Sequence, residues 1–186
     1  STASRRPSTL LPARAAVPSR PSHPQDVGGP SGAGGARRAM IVLDASAVIE
    51  WLLQTPKASA IEARLFAKSA APSRWHAPHL LDVEVTQALR KQVAKGVMSN
   101  ARGHEALQDF LDLPLTRYPH DFLLPRVWDL RHNLTAYDAV YVALAEALGA
   151  SLVTCDANIA AAPGHHAQVA VMLTQPIAPS VSGVCM

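Results

Sequence analysis

The sequence predicts an α/β fold, a three-layer α/β/α sandwich with a central parallel sheet. Two patterns predict it. From Met40 onward, short apolar runs of strand length alternate with longer helical stretches, which is the mark of βαβ units. The stretch "AYDAVYVALAEALG" is apolar nearly all round, with Asp138 and Glu146 its only charges. A helix lying across a sheet has that character.

The elements follow in order. Met40 to Asp44 reads as a strand, and Ser46 stands where it can cap a helix running to about Leu53. A second helix is expected from about Pro56 to Ser69, with the proline in its first turn. "WHAP" is a short extended piece. "HLLDVEVTQALRKQVAKG" is a helix closed by Gly96, and "SNARGHEALQDFLDL" is another. "LTRYP" is a strand candidate. "HDFLLPRVWDLRHNL" reads as a helix with Pro125 in its first turns, and "TAYDAVYVALAEALG" as a helix stopped by Gly149. "SLVTCD" and "QVAVMLT" supply the last two strands.

Composition sets the bounds. The chain has 186 residues, 48% of them hydrophobic, enough for one core. No apolar run approaches the length of a membrane span, so no membrane partner is expected. The net charge of +3 comes from residues 1–39, which hold six Arg against the single acid Asp26. That segment also holds six of the 15 Pro and five of the 10 Gly. It cannot bury enough apolar surface to offset its ordering entropy, so a disordered extension is expected. Its Arg and Ser suit a transit peptide, but the prolines interrupt any amphipathic helix. The organisation read here is an extension at 1–39, a folded body at 40–176 and a C-terminal tail at 177–186. The body is slightly acidic, and its charge gives no argument for nucleic acid. Cys155 and Cys185 have neither CxxC nor zinc-site spacing, so a reducing cytoplasm is the expected setting.

Four acids stand in unusual places. In an open parallel sheet, ligands gather beyond the C-terminal strand ends. Asp44 ends one predicted strand and Asp156 another. Each alone has an ordinary explanation as a helix cap or Asx turn. Glu84 is different. At about 100° per residue it falls inside the apolar arc of Leu80, Leu81, Val85 and Ala88. A buried carboxylate needs a cation, a hydrogen-bond network or a wet edge. Asp82 lies off that arc and reads as a first-turn acid facing the helix dipole. Asp138 follows Thr135 at capping-box spacing, yet it opens the buried helix and shares a face with Tyr141, Val142 and Ala145. A parallel fold can bring all four acids to one edge. Hard carboxylate oxygens without Cys or His favour Mg²⁺ or Mn²⁺, and a carboxylate-held cation is suited to phosphoryl chemistry.

Three stretches then carry a resemblance: "MIVLDASAVIEWLL", "APHLLDVEVTQALRK" and "LTAYDAVYVALAEALGASLVTCDANI", in that order and spacing. Together they resemble a PIN domain, and more closely the VapC toxins of bacterial type II toxin–antitoxin pairs. The resemblance covers the body and not the extension. It implies a metal-dependent endoribonuclease with Asp44, Glu84 and Asp138 as core catalytic and metal-binding acids. Asp156 would be a fourth, more variable in role. It places Ser46 and Thr154 where small polar side chains help position metal-bound water. It implies Mg²⁺, with Mn²⁺ able to substitute, and products with 5′-phosphate and 3′-hydroxyl ends. Its implied partners are an RNA substrate (structured, such as tRNA or rRNA), a cognate antitoxin protein and a second copy in a homodimer.

Supporting candidates are ordinary. Arg90, Lys91 and Lys95, and Arg126, Arg131 and His132, are candidates for RNA-backbone contacts or plain solvated helix faces. Trp51, Leu52 and Leu53 with Ile61, Leu65 and Phe66 could line an antitoxin groove or belong to the core. His76, His79, His104, His120, His165 and His166 read as structural or solvent-facing, and Cys155 as a small buried hydrophobe. Two rival readings are an inactive PIN-domain scaffold and an aspartate-based phosphotransfer protein. The second lacks the partner residues such sites need, since Ser46 stands where a second Asp belongs.

Overall fold

The computed structural model describes residues 39–66 and 74–173. Its sheet has five strands, β1 (Met40–Leu43), β2 (Arg74–Pro78), β3 (Leu115–Tyr118), β4 (Ser151–Thr154) and β5 (Gln168–Val171). All neighbouring strands pair in parallel, in the order β3-β2-β1-β4-β5. The chain first builds outward from β1 to β2 and β3, then returns to lay β4 on the other side of β1. The strand order therefore reverses between β1 and β4, the switch point where parallel sheets open a crevice.

Burial follows that order. Ile41, Val42 and Leu43 of β1 and Leu152, Val153 and Thr154 of β4 are buried. β2 is buried from Trp75 to Pro78. The edge strands β3 and β5 are only partly covered. Continuous apolar runs in the central strands are what a sheet covered on both faces requires.

Seven helices fill the connections among the described residues. α1 (Ala45–Leu52), α2 (Ala58–Leu65), α3 (Leu80–Ala94) and α4 (Asn100–Leu111) form one packed group. α5 (Leu124–Asp129) packs on α6 (Ala136–Leu148), and α6 lies against β1, β2 and β4. The short α7 (Ala157–Ala161) packs on β5. Every residue of α6 from Ala139 to Ala145 is buried, as its all-round apolar pattern predicts. The helix ends at Gly149, whose φ of 59° is the left-handed conformation that glycine adopts without a Cβ penalty.

Several local expectations are corrected. The residue before α1 is Asp44, and Ser46 lies inside the first turn rather than capping it. α2 begins at Ala58, two residues past Pro56. The predicted end of that helix, together with residues 1–38 and those from 174 onward, lies outside the described residues. The single helix expected over 120–134 contracts to the six residues of α5. Its flanks are turns instead: the amides of Leu123 and Leu124 both bond the carbonyl of His120. Leu52, Ile61 and Leu65 belong to the core, which removes them from the proposed antitoxin groove. Phe66 remains 60% exposed, 6.1 Å from the Trp51 ring. No helix of the described residues is long and apolar enough to cross a membrane.

Candidate active site

The first acid sits at the switch point between β1 and β4. Leu43 pairs with Val153, and the Asp44 amide continues the ladder by donating to the Val153 carbonyl at 3.0 Å. Asp44 is thereby carried just past the strand end and is only 7% exposed. Its Oδ2 accepts from Ser46 Oγ at 2.5 Å and from Thr154 Oγ1 at 2.7 Å. Both hydroxyls, having donated to Asp44, accept in turn from backbone amides. Ser46 Oγ takes the Cys155 N–H at 2.9 Å, and Thr154 Oγ1 takes the Asp156 N–H at 3.0 Å. The resemblance assigned these two hydroxyls to metal-bound water. The structure turns both onto the Asp44 carboxylate.

Glu84 and Asp138 arrive from two helices. α3 starts directly after β2, so its first turns stand at the same C-terminal edge of the sheet. Glu84 is half-buried there, as its place in the apolar arc predicts. It accepts from the Tyr141 hydroxyl at 2.5 Å through Oε2. α6 is capped by Thr135, whose Oγ1 accepts the Asp138 N–H at 3.2 Å and donates to Asp138 Oδ2 at 2.6 Å. Asp138 thus fulfils the capping pattern and still presents its carboxylate at the helix N-terminus, where an anion is favoured.

These three acids act on one another. Burial pushes the Asp44 carboxyl above the usual carboxylate range, and the charge on Asp138 adds to it; the bonds from Ser46, Thr154 and the Ala45 amide oppose that rise. Glu84 is raised mainly by burial, then by Asp44 and Asp138, against the lowering bond from Tyr141. Among the described residues, the ion pairs engage Glu50, Asp82, Glu105, Asp109 and Glu146, and none reaches Asp44, Glu84, Asp138 or Asp156. Asp82, the acid beside the site, is taken by Arg117 at 2.7 Å. Nor do three Asp, Glu, His or Cys side chains of the described residues already close around one point as ligands would.

Asp156 stands apart. It caps α7, accepting the Asn158 N–H at 2.8 Å, which is the ordinary role a strand-end Asp can take. Its backbone touches the site through Thr154, while its carboxylate is not among the charges acting on Asp44 or Glu84. Two of the histidines hold structural bonds: His76 Nδ1 meets the Tyr118 hydroxyl at 3.0 Å, and His120 Nε2 accepts the Leu80 N–H at 2.9 Å. Arg126 is bound to Glu146 through two nitrogens, at 2.7 and 3.0 Å, and so leaves the set of free basic residues. A cavity of about 360 Å³ between α3 and α4, lined by Leu89, Val93 and Leu107, contains none of the site acids. Sequence reasoning missed Tyr141 as a site residue. The available signal was a phenol one turn after Asp138 in a buried helix, since a buried Tyr hydroxyl needs a partner.

A family profile described as PIN domain matches residues 41–164. The chain belongs to the PIN-domain family. Its curated relatives within that family are VapC ribonucleases. Ribonuclease VapC12 of Mycobacterium tuberculosis is 42% identical over 130 residues, covering 70% of this chain and 97% of the relative. Ribonuclease VapC1 of the same organism is 46% identical over 124 residues, covering 66% of this chain and 90% of the relative. Among solved structures, PAE2754 from Pyrobaculum aerophilum superposes with a TM-score of 0.50 at 25% identity, over 68% of this chain and 87% of that one. This PIN domain is therefore a VapC-type ribonuclease toxin, and the aspartate-based phosphotransfer reading falls away. The matched span runs through all four predicted acids and stops short of residues 1–39.

Proposed function

We propose that this VapC-type ribonuclease hydrolyses RNA phosphodiester bonds with Mg²⁺, or Mn²⁺ in its place, held by Asp44, Glu84 and Asp138. One observation carries the reading: Asp44, Glu84 and Asp138 stand around the C-terminal edge of the sheet, each held by a neutral hydroxyl, and no Lys or Arg of the described residues is paired to any of them. Like charges in such a place call for a cation. The donor set is all hard oxygen, the set that suits these ions. When bound, the cation supplies activation of water and charge stabilisation at the scissile phosphate.

The chain's own residues do the rest. Ser46 and Thr154 fix Asp44 through Oδ2, so neither hydroxyl occupies Oδ1. Thr135 fixes Asp138 in the same way. Tyr141 cannot act as a base, because burial and the Glu84 carboxylate push its phenol far above the usual range. Asp156 donates its backbone N–H to the Thr154 hydroxyl, and its carboxylate, engaged as the cap of α7, enters this reading only as a fourth, secondary acid. The reading includes a structured RNA such as tRNA or rRNA as substrate, products ending in 5′-phosphate and 3′-hydroxyl, a homodimer, and an antitoxin contacting the exposed Phe66 beside Trp51.

Calorimetric titration of the purified protein with Mn²⁺, beside Asp138→Asn, tests the core of this reading without any choice of RNA. Saturable binding that the substitution removes is the expected result. Equal binding by both proteins would overturn the assignment of Asp138.

A further inference from the structure

Each of the three acids is held by a neutral hydroxyl. Asp44 has Ser46 and Thr154, Asp138 has Thr135, and Glu84 has Tyr141. Asp44 follows β1 directly, and its two donors come from Ser46 of α1 and Thr154 of β4. Asp138 is held by the cap of its own helix. Glu84 is the least constrained by its own surroundings. It is the longer side chain, it sits on a helix only half covered, and both Asp44 and Asp138 repel it.

We infer that Tyr141 is a positioning residue for the proposed reaction: its buried hydroxyl tethers Glu84 Oε2 and so holds the Glu84 carboxylate beside Asp44 and Asp138. The inference rests on the metal-site reading above. Tyr141 is 1% exposed and has the largest fully buried side chain among the described residues. It reaches from α6 to α3 across 57 positions of sequence, and the bond measures 2.5 Å. The ring is locked by the core, so the donor is preorganised and the flexible partner is the one that is held. α6 therefore delivers two groups to the rim, the Asp138 carboxylate in its first turn and the tether for Glu84 one turn deeper. A neutral donor also suits the task. An Arg or Lys in its place would hold Glu84 equally well but would cancel the negative charge that draws a cation.

The test is Tyr141→Phe, which removes one oxygen and keeps the ring. The Glu84 carboxylate is half-buried, so water can reach the oxygen left behind, and the variant is expected to fold. Mn²⁺ alone is the first probe. Affinity by calorimetry is expected to fall about 10-fold or more, the range seen when residues that orient metal ligands are removed. On an RNA that the wild type cleaves, kcat is expected to fall with KM unchanged. Combining Tyr141→Phe with Glu84→Gln is expected to cost no more Mn²⁺ affinity than Glu84→Gln alone, since groups acting through one another do not add. A lowered Tm with wild-type Mn²⁺ affinity and kcat would make Tyr141 a packing residue and overturn the inference. Additive losses would overturn it as well. Full Mn²⁺ affinity in Glu84→Gln itself would overturn the metal-site reading, and the role of Tyr141 with it.

Discussion

Thr154 and Asp44, 110 residues apart in sequence, meet at 2.7 Å where β4 and β1 end side by side. Thr154 is fully buried, and its hydroxyl serves as donor to Asp44 and acceptor for the Asp156 amide. Thr154→Val keeps the shape and removes both bonds. Hydrogen bonds to charged groups contribute about 1.5–3 kcal/mol, and a buried amide left unpaired adds to the loss. The variant is expected to lose roughly 1.5–3 kcal/mol in urea unfolding and to cleave RNA more slowly, since Asp44 is no longer held on that side.

Asp44→Asn is expected to abolish cleavage and yet to raise the stability of the metal-free protein at neutral pH. Asp44 and Glu84 both have carboxyls raised in the folded state. A raised acid contributes stability that is fully present below its unfolded pKa, about 4, and that is lost as pH rises through the folded value. Above the unfolded value the raised pair therefore increasingly opposes folding, and replacing one of the two acids relieves it. Thermal melts without divalent ions, from about pH 4 upward, should show a Tm gap between variant and wild type that widens with pH. A gap that narrows would contradict the assignment.

Divalent ions should reverse that ordering. A ligand at 100 times its Kd stabilises the native state by about 2.7 kcal/mol. For a domain of this size each kcal/mol moves Tm by roughly 2–4 °C. Saturating Mn²⁺ is therefore expected to raise the wild-type Tm by several degrees and to leave Asp138→Asn nearly unmoved.

Asp156 offers a graded comparison. Its carboxylate is engaged as the cap of α7, so Asp156→Ala is expected to cost about 1 kcal/mol of stability. Cleavage by that variant should fall, but by much less than in Asp44→Asn. Equal losses in a side-by-side assay would raise Asp156 to the rank of the other three.

Arg126→Met separates stability from chemistry. Arg126 binds Glu146 through two nitrogens and the Gly164 carbonyl at 2.8 Å, joining α5, α6 and the loop before β5. Those groups lie toward the far end of α6 from Asp138. The bond from Arg126 holds the Glu146 carboxyl below its usual range. Such an acid contributes stability present above its unfolded pKa and lost as pH falls. The variant is expected to melt lower at pH 7, to differ less from wild type under acid conditions, and to keep wild-type kcat per folded molecule.

Much of this was legible along the chain because it is local. The period of the apolar residues, the capping Thr135 and the stopping Gly149 act within a few residues, so α3, α6, β1 and β4 could be placed from pattern alone. Glu84 could be singled out because a carboxylate inside an apolar helical arc conflicts with burial unless something compensates. The long helix expected over 120–134 failed for a matching reason. Its apolar residues have helical spacing, but the paired bonds to the His120 carbonyl make a turn that period alone does not reveal.

Local pattern alone was enough to place Asp44 and Asp156 just beyond two strands, and Glu84 and Asp138 in the first two turns of two helices. Which side chains come together depended instead on the packing of the whole domain. The return of the chain from β3 across the sheet to β4 set Thr154 against Asp44, and it laid α6 where Tyr141 reaches Glu84. The same packing left Asp156 bonded to its own helix and gave Asp82 to Arg117. A side chain's partner across 57 or 110 residues depends on strand order and helix placement, which the whole core fixes cooperatively and no local window contains.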